Sequence, residues 1–251
     1  MNRFENQVAV ITGGAQGLGF GAAKRLGSEG AKLALLDMNE KLLGQATKEL
    51  ESGKIPSLAV QLDVTDHRAV KDAVKQVIAK FGRIDILINA AGITGNSNGK
   101  KSHEVDPDDF TRVWEVNVKG MFLCCREVLP HMLKANYGRI INIASMAGKD
   151  GNANMLPYAS SKAAVIGLVK GMGKEYAETG ITVNGIAPAV VRTAMVAGVP
   201  EDVIKGLTDK IPMKRTGEIS ELAALMAYIA SRECSFTTGF IFDASGGRAT
   251  Y

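Results

Sequence analysis

Short runs rich in Val, Ile and Leu recur along the chain at residues 8–11, 32–36, 58–62, 84–88, 139–143, 181–186 and 240–242. They lack the apolar/polar alternation of a half-exposed strand, so each reads as a strand buried on both faces. Between them lie longer amphipathic patterns, at 17–28, 40–51, 68–80, 107–135, 157–178 and 220–230, which read as helices. Regular alternation of strand and helix predicts an α/β chain with a mainly parallel sheet of about seven strands and helices on both faces. Two features exceed that pattern. The segment 107–135 is unusually long for one helix, and Ala163, Ala164, Gly167 and Gly171 put small residues at near-helical spacing within another. Glycine in a helix costs about 1 kcal/mol relative to alanine, so close approach of a second helix is expected there, from this chain or from another copy.

The 251 residues suit a single domain, here 1–251, and the 46% hydrophobic content can supply its core. No apolar run is long enough to cross a bilayer, and the polar start running into residues 8–11 lacks the form of a signal peptide, so a cytoplasmic, membrane-free protein is expected. Cys124, Cys125 and Cys234 have neither CxxC spacing nor a companion histidine cluster, which speaks against a metal site or a disulfide framework. A net charge of +4, with basic residues scattered among acidic ones, speaks against nucleic acid. A small polar molecule remains as the expected partner.

The first strand runs into Thr12, Gly13, Gly14, Ala15, Gln16, Gly17, Leu18 and Gly19 and then into a helix. That order places glycines where a pyrophosphate would meet a helix N-terminus, whose free N–H groups and dipole favour anions. The second strand ends at Asp37, close to the ~20-residue offset at which an acid accepts the hydroxyls of an adenosine ribose. A carboxylate there, with no arginine or lysine at 13–16 or at Met38, favours NAD over NADP; a helix cap is the alternative reading of Asp37. Two further strands end in Asp63–Val64 and in Asn89, Ala90, Ala91 and Gly92. At the carboxyl edge of such a sheet, Asp63 could meet an adenine amino group and the small residues a ribose, although each could also be a cap or a turn.

Tyr158 and Lys162 are one helical turn apart and therefore share a face. A phenol ionises near pH ~10, and a fixed positive charge beside it lowers that value, which makes Tyr158 a candidate base and Lys162 its activator. Ser145, on the loop before them, is a candidate donor to a substrate oxygen.

Residues 12–19 (TGGAQGLG), 89–92 (NAAG), Asn117, Ser145, 158–162 (YASSK) and 188–193 together resemble the short-chain dehydrogenase/reductase family over almost the whole chain. The resemblance implies a Rossmann-type doubly wound fold, hydride transfer with a nicotinamide, and commonly a homotetramer. It also implies a catalytic set of Asn117, Ser145, Tyr158 and Lys162, with Asn117 linking Lys162 to solvent through water. Cofactor contacts are implied at Gly13, Gln16, Gly17, Leu18, Gly19, Asp37, Asp63, Val64, Asn89, Ala90, Gly92, Tyr158, Lys162, Pro188, Val191 and Thr193. One departure is Ala189, where many members have glycine after the proline. The detailed likeness, including the closing run 243–251, is to NAD-dependent dehydrogenases of 2-keto-3-deoxy sugar acids. A 3-oxoacyl-carrier-protein reductase is the alternative, and a non-catalytic NAD-binding regulatory protein the alternative of another class. Substrate-facing loops are expected at 93–100, 146–156 and 189–210, with Thr94, Lys149, Asn154 and Arg192 as candidate substrate contacts; the last loop, with Met195, is a candidate lid.

Overall fold

The structure is a computed structural model that describes residues 2–193 and 201–249. Seven strands, β1 (Val8–Thr12), β2 (Lys32–Asp37), β3 (Ser57–Gln61), β4 (Ile86–Asn89), β5 (Gly138–Ile143), β6 (Ile181–Pro188) and β7 (Ile241–Ala244), form one sheet in the order β3-β2-β1-β4-β5-β6-β7. Every pairing is parallel. The period of two along each strand divides the core into two layers. Ala9, Ile11, Leu33, Leu35, Ile86, Ile88 and Ile141 face α1 (Gly17–Ser28), α2 (Glu40–Ser52) and α9 (Ile219–Ala230). Val8, Val10, Ala34, Leu36, Leu87 and Ile140 face the other way, toward α3 (His67–Phe81) and α5 (Met121–Ala135). Both faces are covered, which is why the strands read as unbroken apolar runs.

The remaining helices are α4 (Pro107–Trp114), α6 (Met146–Asp150), α7 (Leu156–Glu175) and α8 (Glu201–Thr208). The long pattern at 107–135 is resolved into α4, a π-helical turn at Glu115–Gly120 and α5. A π turn changes the backbone hydrogen-bond register locally, and such turns gather at functional positions; this one carries Asn117, fully buried. The short helix α6 replaces part of the loop expected at 146–156, because Ser145 caps it by accepting the Ala147 amide at 3.1 Å. Among the described residues, a methyl at Gly167 or Gly171 of α7 would meet nothing within 4 Å, so no described helix comes close enough to require glycine there. Among the described residues no helix is long and apolar enough to cross a membrane.

Candidate active site

Strand order reverses between β1 and β4, and in open α/β sheets the crevice beyond the carboxyl ends of such strands is where ligands bind. Thr12 and Asn89 are partners in register there, and Thr12 fixes the following loop by accepting the amides of Ala90 and Ala91 (3.2 and 3.3 Å). The glycine loop lies directly against it. A Cβ on Gly13 would sit 2.8 Å from the Ala91 nitrogen, and one on Gly19 only 2.2 Å from the Gly13 carbonyl oxygen, so neither position admits a side chain. Gln16 is the N-cap residue of α1 but contributes no capping side chain, which leaves the first-turn amides at Gly17, Leu18 and Gly19 without a side-chain acceptor. Thr193 stands over this loop, 3.9 Å from where a Gly17 Cβ would be. Asp37 reaches back to the loop, accepting the Ala15 amide at 3.1 Å and the Asn39 amide at 3.0 Å. The cap of α2 is Asn39, so the capping alternative for Asp37 is set aside. Asp63 closes a turn on Thr65, whereas Asp66 caps α3. Val64 is buried against Gly120. The Asn89 side chain points into the core, donating to the Asn142 side-chain oxygen Oδ1 at 2.8 Å, so at position 89 it is the backbone that is left to face a ligand. These features fit a dinucleotide: an uncapped helix N-terminus for a pyrophosphate, a glycine cradle without Cβ atoms, and an acid at the ribose position.

Next to the crevice, α7 presents Tyr158 and Lys162 inward. Lys162, 4% exposed, donates to the Ile143 carbonyl oxygen at 2.7 Å, and its Nζ lies 5.7 Å from the centre of the Tyr158 ring. The Ser145 side chain lies beside Tyr158 and favours its phenolate. The Ser145 oxygen accepts the Ala147 amide, and its proton remains to donate. Burial governs both ionisations. It raises the Tyr158 phenol above its usual value, against a smaller lowering by the Ser145 hydrogen bond, and it pushes the Lys162 ammonium down to about 8. Without the further positive charge of a bound nicotinamide, the cost of a dehydrated phenolate wins. Asn117 does not face water with its side chain. Its oxygen accepts the Ile93 amide (2.9 Å), and its amide nitrogen donates to the Ile93 carbonyl (2.9 Å) and to the Ser161 hydroxyl (3.0 Å).

A family model described as short chain dehydrogenase matches residues 7–204. The chain belongs to the short chain dehydrogenase family. It is 44% identical over 249 residues, 99% of this chain and 98% of the relative, to a 2-dehydro-3-deoxy-L-rhamnonate dehydrogenase (NAD(+)) of Sphingomonas sp. (strain SKA58). It is 37% identical to a 3-oxoacyl-(acyl-carrier-protein) reductase of Thermotoga maritima, with 98% of each chain covered. Among solved structures, NAD+-bound xylitol dehydrogenase superposes with a TM-score of 0.93 at 33% identity, over 97% of this chain and 99% of that one. As a short chain dehydrogenase, the protein is an oxidoreductase acting on CH–OH groups.

The loops around this dehydrogenase site differ in what they offer. Thr94 follows Ile93, whose backbone Asn117 holds, and is half-buried at the cleft. Lys149 is committed elsewhere: Asp243 binds it at 2.9 and 3.0 Å, and the pair is largely buried, so its expected role toward a substrate carboxylate is not what the structure shows. Asn154 is exposed, with its carbonyl accepting the Gly99 amide. Arg192 is 76% exposed and lies 3.9 Å from Glu218, not in the cluster. Pro188 ends β6, its neighbour Ala189 donates to the Ala244 carbonyl, and Val191 is buried in a bridge to Gly217. Met195 lies outside the described residues. Sequence reasoning missed Ser161, which positions Asn117; its spacing of three from Tyr158 on one helix face was the available signal.

Proposed function

We propose that the protein oxidises a secondary alcohol of a small polar substrate with NAD, and that this substrate is a 2-keto-3-deoxy sugar acid. The observation that carries the chemistry is the cluster of half-buried Tyr158 and Ser145 with buried Lys162 beside the glycine crevice. Residues 13–19 would hold the pyrophosphate, Asp37 the adenosine ribose, Asp63 and Val64 the adenine, and the backbone of 89–92 the sugar beyond. Tyr158, Lys162, Pro188, Val191 and Thr193 would surround the nicotinamide. When bound, NAD supplies the hydride acceptor and a positive charge.

Ser145 Oγ donates to the alcohol oxygen and holds it near Tyr158. Tyr158 Oη takes the hydroxyl proton as the carbinol carbon is oxidised. Lys162 has three protons, one spent on Ile143, and the others stabilise the phenolate and deliver a replacement proton. Since the side chain of Asn117 is engaged, its link to solvent would run through the main chain of the π turn. The presence of both Tyr158 and Lys162 disfavours a non-catalytic regulatory protein.

Support for a sugar acid comes from the polar loops Thr94–Asn98 and from the likeness to a deoxy-rhamnonate dehydrogenase; the likeness to an oxoacyl reductase keeps that reaction as the second reading. Nicotinamide absorbance separates them. Oxidation of 2-dehydro-3-deoxy-L-rhamnonate with NAD, well above reduction of acetoacetyl-CoA with NADPH, is expected; the reverse ranking would remove the sugar-acid assignment.

The same reading takes the chain as one cytoplasmic domain, with the lid expected at 189–210 falling partly outside the described residues, and as a homo-oligomer, a tetramer by family likeness. A groove of about 370 Å3 between α5 and α7, lined by Phe122, Leu129, Leu133, Gly167, Leu168 and Gly171, supports a second copy packing there. Phe122 and Leu133 are 44% and 43% exposed along it. In sedimentation, Gly171→Arg should yield a smaller species than the wild type; an unchanged species would exclude this groove as the contact.

A further inference from the structure

We propose that Asp109, on α4, is a positioning residue for the substrate, acting through the arch 93–97 that carries Thr94. This rests on the reaction proposed above. The arch is anchored at both ends to one continuous helical rod. At its start, Asn117 holds both backbone groups of Ile93. At its end, one oxygen of Asp109 accepts the amides of Asn96 and Ser97, each at 2.8 Å. The other oxygen accepts from Arg112 at 3.1 Å.

Asp109 is itself 6% exposed, an uncommon place for a carboxylate unless donors compensate for lost hydration. Burial pushes its carboxyl up, but the Asn96 and Ser97 bonds and Arg112 outweigh that and hold it at about 2. It therefore stays ionised across any working pH. The backbone conforms to the clamp: Gly95 has φ +83°, and a Cβ there would lie 2.7 Å from Val113 Cγ2 and 2.9 Å from the Asp109 oxygen.

Between the two anchors stand only Thr94 and Gly95, and Thr94 is two residues from Gly92, where a Cβ would lie 3.5 Å from Lys162 Nζ. Tilting the arch thus displaces Thr94 relative to the reacting alcohol without disturbing the glycine crevice. Thr94 offers a hydroxyl donor and acceptor, suited to a substrate hydroxyl beyond the oxidised carbon. The clamp makes that partner part of a fixed rim, so the cost of ordering it is met on folding rather than on binding.

Steady-state kinetics with 2-dehydro-3-deoxy-L-rhamnonate and NAD tests this. Asp109→Ala should raise the substrate KM about tenfold with a much smaller change in kcat, the mark of lost substrate binding. NAD affinity, read by titration of the free enzyme, should hold. Asp109→Asn retains an oxygen for the two amides and should recover most of the KM. Arg112→Met, which leaves the two amide bonds in place, should behave as wild type. Thr94→Val should raise KM in the wild-type background but add little in Asp109→Ala, since the two act through one contact.

Should Asp109→Ala fail to fold, Gly95→Ala moves the same arch with Asp109 intact and should give the same KM effect. An unchanged KM, additive effects of Asp109→Ala and Thr94→Val, or parallel loss of NAD affinity would overturn the proposal. A wild type that oxidises no alcohol of this class would fell the reaction and the clamp's role with it, an outcome distinct from an active series with constant KM.

Discussion

Replacing Tyr158 with phenylalanine should lower kcat on the order of 10³-fold, the contribution of a positioned acid–base group. The substitution removes one oxygen and keeps the ring, so packing between α7 and the loop that carries Ser145 should survive. Ser145 retains the Ala147 amide as a donor to its oxygen. NAD affinity should change by no more than about fivefold, the worth of a single hydrogen bond. The measurement is single-turnover hydride transfer with cofactor affinity determined separately. Turnover within tenfold of wild type would remove Tyr158 as the base.

The second large effect concerns Lys162. Lys162→Met should also abolish most turnover, yet cost little thermal stability at neutral pH. Burial lowers the ammonium from 10.5 to about 8, so holding it charged below pH 8 costs the fold on the order of 3 kcal/mol. Losing the bond to the Ile143 carbonyl costs about 1–3 kcal/mol in the opposite direction. The two nearly cancel. The sign of the pH dependence follows from the lowered value: between about 8 and 10.5 the unfolded chain binds more protons than the folded one, so this group makes wild-type stability rise with pH across that window. Below it, the cost is fully present. Thermal unfolding of both proteins from neutral pH to pH ~10 should show that slope in the wild type and its absence in Lys162→Met. A variant that unfolds many degrees lower at neutral pH would make Lys162 a structural residue first.

Most of the fold was legible because the inner strands are buried on both faces and the helices are amphipathic; seven apolar runs became seven parallel strands. Boundaries moved by one or two residues, as at β4 and β7, where a polar end such as Asn89 or Asp243 continues the ladder. The π turn at 115–120 was not legible, since its residues satisfy a helical pattern and only the hydrogen-bond register reveals it. The Tyr158–Lys162 pairing followed from helical spacing alone, but the balance of their ionisation did not, because burial is a tertiary property. Lys149 read as a candidate substrate contact for the same reason: nothing near it in the chain announces Asp243 on the edge strand. Asp109 carries no signal in the sequence beyond a place near a helix start, because its amide partners lie on a loop that precedes it.

The central claim is that positive charge brought into the cleft reverses the effect of burial on Tyr158. Titration of the near-ultraviolet tyrosinate band, as a difference between wild type and Tyr158→Phe, reads that ionisation without turnover. In the free protein the midpoint should lie above the ordinary phenol value of 10.0. With NAD bound it should fall well below. A midpoint that stays high when NAD saturates the protein would contradict the account.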